Sequence, residues 1–395
     1  MNGDSDPDLA VGADAFTDES VEREVAVVGG GAVGATAAYD LARAGADVTL
    51  YDRDGIASGA SGRAAGVCYD AYADPLDAEI ASDAIERFRT LSGDDTFPFV
   101  ECPYVWLAQD GDERADAIRD QVTRMQEHGV VALEMDADAL ADRFDSIRTD
   151  DVEAAGIAGA AGYTDPARYT AALAAGANGA GAELEAETPV AIRTDPPRVV
   201  PEGGDEREVD AVLVTAGAHT KQVLADAGVE IPMKPYRVQA LVADCDLEEP
   251  TCFDATAGFY VRPHPDGILA GDGTELREVD PDRYDRKAND EFAEDLLERV
   301  QHRLPDVDPE LERAWAGLCT STPDGDPLVG EIEDGVYVAT GFQGHGFMRA
   351  PAVGERIAME VLGGDGIDAF DPTRFDGGET FEVTEGMQLG DERER

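Results

Sequence analysis

The sequence predicts an α/β protein of two units: an open, mostly parallel sheet of nucleotide-binding type, and a discontinuous α+β unit on an antiparallel or mixed sheet. Three observations carry this expectation. An apolar strand runs into a glycine turn and a helix in VAVVGGGAVGATAAYDLARAG. Two later runs, LVTAG and YVATG, end in the same way. Strand ends that deliver glycine turns gather at the carboxyl edge of a parallel sheet, where ligands bind. The segments between them hold β-like pieces and helices with no nucleotide signal. The nucleotide unit is therefore drawn from residues 21–75, 145–235 and 318–375, and the second unit from 76–144 and 236–317. Residues 1–20 form an acidic arm and 376–395 a polar tail, neither expected to carry chemistry.

In chain order, Val25–Val28 is a short apolar strand, Ala32–Ala44 is rich in helix formers and closes at Gly45, and Val48–Tyr51 is a second strand ending on Asp52. Helices are expected over Glu79–Thr90 and Arg114–His128, with a β-like run Tyr104–Ala108 between them. A helix from Pro166 to about Ala177 leads into TPVAIRTDPP and a hairpin arm that ends at Gly217. The apolar Val212–Val214 suggests a strand covered on both faces. Residues 236–316 return to β-like pieces, among them FYVRPHPDGILAGDG with a turn at Pro265-Asp266-Gly267, and one helix over Asn289–Arg303. VYVATGFQGHGFMRAPAVGERIAMEVLGG then repeats strand, glycine turn and helix.

The first turn contains Gly29-x-Gly31-x-x-Gly34. The first glycine makes the turn, the second lets the backbone approach a diphosphate, and the third packs helix against strand. Peptide N–H groups and the positive end of the helix face the phosphates, so no basic side chain is required. Asp52 ends the second strand, where a carboxylate accepts hydrogen bonds from an adenosine ribose. Together these features read as a Rossmann-type dinucleotide site. By themselves they leave NAD and FAD open, and Arg53 admits a 2′-phosphate and hence NADP.

Composition narrows the partners. The 395 residues carry 85 acidic and 31 basic side chains, a net charge of −54, and the only lysines are Lys221, Lys234 and Lys287. Self-repulsion on this scale strains a compact fold unless salt screens it, so the composition reads as adaptation to molar salt. Nucleic acid is excluded as a partner, since phosphate backbones need basic patches. Five cysteines, Cys68, Cys102, Cys245, Cys252 and Cys319, show no metal-ligand spacing, so reduced structural thiols and no metal site are expected. No apolar run reaches the ~18 residues of a membrane span, and the opening residues do not resemble a secretory signal. A cytoplasmic protein is expected, with peripheral membrane attachment left open.

The cofactor is separated by resemblance. SGASGRAAG (58–66), TPV (188–190), TAGAHT (215–220), and GLCTSTPDGDPLVGEIEDGVYVATGFQGHGF resemble, in order, the FAD-dependent D-amino-acid oxidase superfamily, closest to its glycine oxidase, sarcosine oxidase and dimethylglycine dehydrogenase-like members. The pattern spans roughly residues 24–364. By that resemblance the nucleotide unit is an FAD-binding domain and the second a substrate domain. Gly29, Gly31, Ala32, Val33, Gly34, Asp52 and Arg53 would hold the ADP half of FAD. Ser58, Ser61, Ala65 and Gly66 would follow the diphosphate and ribityl chain, and Val190 would meet the adenine. Thr215 and Gly217 would lie beneath the isoalloxazine path, and Gly341, Gln343, Gly344, Gly346 and Phe347 would bring amides to its N1–C2=O edge. Negative charge develops at that edge on reduction, and a helix N-terminus stabilises it. Gly317 stands where sarcosine oxidases carry the cysteine that anchors FAD, so non-covalent FAD is expected, although Cys319 lies two residues on.

The substrate side departs from the family. Cys319 and Gly344 replace two arginines of glycine oxidase, and Met348 replaces the carboxylate-gripping lysine of sarcosine oxidase. A guanidinium remains the natural partner for an amino-acid carboxylate. Arg262 is the first candidate, because Tyr260 and Arg262 share one face of a strand that in this family lines the substrate pocket; Tyr260 offers a phenol, and Arg349 is the alternative cation. His345 offers an imidazole to flavin or substrate. The expected reaction is oxidation of the C–N bond of a small amino acid or N-methylated amine acid such as glycine, sarcosine or a D-amino acid. Hydride passes to flavin N5, the imine hydrolyses, and oxygen or another carrier reoxidises the flavin. The alternatives are an FAD-dependent 2-hydroxy-acid or glycerol 3-phosphate dehydrogenase, a flavin-carrying subunit of a hetero-oligomer, and an NAD-linked dehydrogenase. Oligomeric state is not readable from the sequence.

Overall fold

The structure, a computed structural model, describes residues 23–384 and 386 except 95 and 249. The expected arm, residues 1–20, and residues 385 and 387–395 of the expected tail lie outside the described residues.

Two sheets dominate. The first has six strands in the order Leu328–Glu333, Val336–Thr340, Ala211–Val214, Glu24–Val28, Asp47–Tyr51 and Glu183–Glu185. All its pairs are parallel except the hairpin of the two strands closest to the C-terminus. Val25 stands opposite both Val48 and Ala211, so the glycine turn after Val28 leaves from the middle of the sheet. Ala211–Val214 is buried at every residue, which accounts for its unbroken apolar run. Helices Ala32–Arg43, Pro166–Gly179 and Gly346–Val361 cover one face of this sheet. They pack closely because glycines stand where helices meet: a Cβ on Gly354 would lie 2.6 Å from Thr36, and one on Gly176 2.9 Å from the Tyr39 ring.

The second sheet has eight strands, in the order 310–321, 234–244, 267–278, 259–264, 251–254, 104–109, 152–158 and 132–135. Its pairs are antiparallel except Thr251–Asp254 beside Tyr104–Gln109. Helix Asp290–Arg303 packs on it through Phe292, Leu296 and Val300. Arg303, fully buried, is neutralised by Asp254 at 2.8 Å and Asp151 at 2.7 Å. Two small sheets, Val67–Tyr69 with Ala161–Thr164 and Phe99–Glu101, and the 190–208 meander, complete the fold.

Strand Val152–Ala158 belongs to the eight-stranded sheet, whereas the sequence grouped residues from 145 with the nucleotide unit. Helix Pro75–Leu91 begins four residues before its expected start because Asp74 caps it, accepting from Leu76 and Asp77 N–H, with Pro75 at its first position. A second difference concerns the tail. The segment 376–384 is pinned at several points while others of its residues stay exposed: Val383 is buried, Thr384 meets Ser321 and Gln343, and the ring of Phe381 lies 4.5 Å from Lys234 Nζ.

Candidate functional site

Between the sheets runs a cavity of about 610 Å³ lined by residues of both. One end is built by the first glycine turn. Gly29 has φ +117°, and a Cβ there would lie 2.5 Å from the Thr215 carbonyl, so only glycine fits. A Cβ on Gly34 would lie 2.0 Å from the Gly29 carbonyl, so the helix approaches its own turn as closely as atoms allow. Thr215 Oγ1 donates to the Gly29 carbonyl at 3.0 Å, tying the first turn to the second. Gly31 differs from both: its φ is −79°, and the only atom near a built Cβ is Ser61 Oγ at 3.1 Å. The following helix has no acidic residue in its first turn and no side-chain cap, so its positive end is uncompensated toward the cavity. Ser61 Oγ takes one of its N–H groups, that of Ala32, at 2.9 Å.

Asp52 lines the same end. Its Oδ1 accepts from the N–H groups of Asp54 (2.9 Å) and Gly55 (2.7 Å), and its Oδ2 from Gly30 (2.7 Å). A carboxylate has about four acceptor sites, so one remains for a ribose hydroxyl. Arg53 points to Asp54 (3.1 Å) and Asp282 (2.9 Å), and these two carboxylates oppose a 2′-phosphate beside it. Val190 lines the wall here, at the start of strand Val190–Thr194.

The middle of the cavity is lined by Ser58, Ser61, Ala65 and Gly66 on one side and by Thr215 and Gly217 on the other. The far wall is the last glycine loop. Gln343, Gly344, His345, Gly346 and Phe347 line the cavity, whereas Gly341 and Gly34 stand behind it and shape their loops. Gln343 is held at φ +50°, a region that non-glycine residues seldom occupy, by its N–H to the Thr320 carbonyl and its amide to Thr384. Helix Gly346–Val361 then begins, again with no acidic residue in its first turn. These features suit an elongated anionic dinucleotide: glycine cradles that a Cβ would fill, two uncompensated helix starts and a spare carboxylate site.

Among the four expected substrate-side residues, Tyr260 and His345 line the cavity and Arg262 and Arg349 do not. The phenol of Tyr260 lies over Gly271, its cross-strand partner, where a Cβ would come within 2.2 Å of Oη. His345 meets the edges of Tyr72 (5.8 Å) and Tyr69 (6.5 Å). Arg349 is buried against Asp77 at 3.0 Å and lies 4.7 Å from the Tyr72 ring centre, bracing the last helix on helix Pro75–Leu91. Arg262 does share a strand face with Tyr260, but two residues along the strand carry its guanidinium past the cavity edge to the Ala65 carbonyl.

The sequence reading missed an aromatic wall. Tyr69, Tyr104, Tyr236, Phe253 and Trp315 line the cavity beside Met348, which the sequence already places on the substrate side. Tyr69 and Tyr104 stack at 4.2 Å, and burial pushes both phenols well above the ordinary tyrosine range, so they remain neutral hydrogen-bonding groups. Tyr104 opens a continuous apolar β-like run, the one available signal; the other rings come from separate strands that only the fold brings together. The described residues contain no group of metal ligands and no helix long and apolar enough to cross a membrane.

Comparison with known proteins agrees with this geometry. Residues 24–359 match the family model described as "DAO: FAD dependent oxidoreductase". The human mitochondrial dimethylglycine dehydrogenase is 27% identical over 394 residues, covering 92% of this chain but 45% of that protein. The chain thus spans about half the length of such relatives. Glycine oxidase from Geobacillus kaustophilus is also 27% identical, covering 85% of this chain and 92% of its own. Among solved structures, L-proline dehydrogenase from P. horikoshii superposes with a TM-score of 0.82 at 28% identity, over 91% of this chain and 99% of its own. The Geobacillus glycine oxidase structure gives 0.79 at 26%, over 89% and 99%. With more than four-fifths of its length matched, the chain belongs to the DAO family of FAD-dependent oxidoreductases.

Proposed function

We propose that this protein oxidises the C–N bond of a small amino acid or N-methylated amine acid. The observation that carries the reading is one continuous cavity that joins the dinucleotide turn to a wall of phenols and an imidazole. When bound, FAD supplies the hydride acceptor at its N5. The chain's own residues hold and orient. Gly29, Gly31 and the helix from Ala32 present backbone amides to the diphosphate, and Asp52 offers its remaining acceptor site to the adenosine ribose. The last loop, Gln343 to Phe347, and the helix start at Gly346 favour negative charge at the opposite end. Tyr260, Tyr69 and His345 surround the space left for a substrate and offer hydrogen bonds to an amine held in its neutral form. The aromatic wall excludes water, which keeps the C–H donor close to the ring and leaves hydrolysis of the imine to follow release.

Glycine oxidase and dimethylglycine dehydrogenase among the relatives support amine chemistry over hydroxy-acid chemistry. The test is anaerobic mixing of the yellow protein, in molar salt, with glycine, sarcosine, dimethylglycine, proline, D-alanine and glycerol 3-phosphate. Bleaching of the flavin band by one or more amines is expected. Bleaching by the phosphate ester alone, or by none of them, would overturn the proposal.

A further inference from the structure

Arg262 is 3% exposed and, among the described residues, no carboxylate pairs with it. In a chain of net charge −54 an unpaired buried guanidinium needs a reason. Burial lowers its pKa to about 10, which still leaves it charged near neutrality. Its hydrogen bonds go to carbonyls: Nε donates to Ala65 O at 2.6 Å and Nη1 to Pro263 O at 2.5 Å, while the ring of Tyr163 lies 4.8 Å away. Arg262 sits on the eight-stranded sheet and Ala65 in the loop that lines the cavity, so the bond crosses between the two halves of the molecule.

A second bond repeats the pattern two residues earlier. Trp315 Nε1, from the same sheet, donates to the Arg63 carbonyl at 3.1 Å. Alternate carbonyls of the 61–66 loop are thus drawn to the second sheet. Gly66 completes the geometry. Its carbonyl accepts from Thr164 N–H at 3.0 Å, as in an ordinary strand pair, but its φ is +72° rather than the −120° or so of a strand. The Ala65–Gly66 peptide is therefore turned over relative to the strand that follows. Because a trans peptide is planar, with C=O and N–H on opposite sides, a carbonyl held by Arg262 sends the Gly66 N–H away from it. Gly66 lines the cavity and Arg262 does not, so we read an N–H turned from Arg262 as turned toward the cavity. No other residue type fits at 66, since a Cβ would lie 2.1 Å from the Thr164 carbonyl.

We infer that Arg262 is a positioning residue: it holds the Ala65–Gly66 peptide so that the Gly66 N–H donates to an acceptor atom of bound FAD. This rests on reading the cavity as the FAD site and gives Arg262 a different task from gripping a substrate carboxylate. Its removal lets the peptide turn back and costs the cofactor a preorganised hydrogen bond.

The experiment compares wild-type, Arg262→Met and Arg262→Lys holoproteins in molar salt, reading the FAD dissociation constant and the visible spectrum of retained flavin. In Arg262→Met the dissociation constant is expected to rise roughly tenfold, the effect of losing one preorganised backbone hydrogen bond to the cofactor, with a shifted flavin band. Arg262→Lys, which keeps a cationic donor, is expected to recover most of both. Wild-type affinity and spectrum in Arg262→Met, with or without a raised KM for carboxylate-bearing amines, would overturn the proposal. If Arg262→Met does not fold, Tyr163→Leu takes its place by stripping the ring beside the guanidinium. A rise of roughly threefold is then expected, and no change overturns the proposal. Wild-type protein that takes up no FAD would instead sink the FAD reading itself.

Discussion

Two substitutions in the first glycine turn separate folding from cofactor binding. Gly34→Ala places a Cβ 2.0 Å from the Gly29 carbonyl and 2.4 Å from Thr215 Oγ1, both in the packed wall of the sheet. The first atom is backbone and the second ends a short, buried, β-branched side chain bonded to the Gly29 carbonyl, so helix Ala32–Arg43 must move outward. Overpacking of this kind costs about 1–3 kcal/mol, and loss of the 3.0 Å Thr215–Gly29 bond adds about 1 kcal/mol. The apoprotein should therefore lose about 2–4 kcal/mol of stability. Gly31→Ala is the contrast. Its φ of −79° suits alanine, and the built Cβ meets only Ser61 Oγ at 3.1 Å, a side chain that can yield. Exchanging glycine for alanine at an N-cap costs about 0.5 kcal/mol. The apoprotein should therefore melt close to wild type, while the added methyl stands where the diphosphate approaches and weakens FAD binding by roughly tenfold or more. The assay is a denaturant melt of each apoprotein beside FAD titration by fluorescence quenching. A Gly31→Ala protein with wild-type FAD affinity, or a Gly34→Ala apoprotein of wild-type stability, would refute the reasoning.

Four further outcomes are expected. Burial acts to raise the pKa of Asp324, but its bonds from Arg374 and the Asp326 N–H outweigh that and hold the carboxyl below its ordinary value near 3.8. A lowered folded pKa stabilises above the unfolded value and loses that contribution as pH falls through the folded one. Asp324→Asn should therefore reduce stability at neutral pH and flatten the decline below about pH 4 in melts recorded across pH 3–7. Ending the chain after Asp376 removes the Thr384–Gln343 bonds and the Phe381–Lys234 contact, and should cost about 2 kcal/mol and speed FAD release; an unchanged release rate would show that the last loop stands alone. Acid precipitation should leave FAD in the supernatant, since the resemblance to sarcosine oxidases puts Gly317 where their anchoring cysteine stands; yellow pellets would place the link elsewhere, with Cys319 the first thiol to examine. Dialysis from molar to about 10 mM salt lengthens the screening distance from about 3 to 30 Å and should unfold the protein, whereas full activity without salt would contradict adaptation to brine.

The parts of the molecule that were legible in the sequence are those whose signals are local. The first strand, turn and helix show a change of period, three glycines and a closing Gly45, each with a short-range cause. The fully buried strand Ala211–Val214 declares itself by composition. Strands Val152–Ala158 and Ala161–Thr164 escaped notice because VEAAGIAGAAGYT is poor in β-branched residues. Their small residues are selected by neighbours instead: a Cβ on Gly156 would enter the Trp106 ring at 2.3 Å. Arg262 shows a different limit. Alternation correctly assigned its face, but not how far along that face the cavity extends, which depends on where the 58–66 loop crosses the strand. The tail shows a third: polar composition hid two apolar anchors, the buried Val383 and Phe381, which meets Lys234 147 residues earlier in the chain.

How so acidic a chain holds a cofactor with a doubly charged diphosphate follows from where its few cations are placed. No lysine lines the cavity. Of the three arginines that line it, Arg53 is committed to Asp54 and Asp282, Arg63 bonds the carbonyls of Ser58 and Gly59, and Arg286 lies 5.9 Å from the Tyr284 ring centre. Beside these few guanidinium groups, dipoles that carry no net charge add positive potential: the amides of the Gly29–Gly34 turn, the start of helix Ala32–Arg43 and, at the other end, the start of helix Gly346–Val361. Such donors are short-ranged, fixed in direction and partly buried. Salt that screens exposed charges over a few ångströms weakens them less than it weakens a mobile lysine at the surface. Salt strong enough to keep 85 carboxylates from driving the chain apart would therefore leave the grip on the cofactor largely intact. The glycine turns reconcile an anionic surface with an anionic ligand.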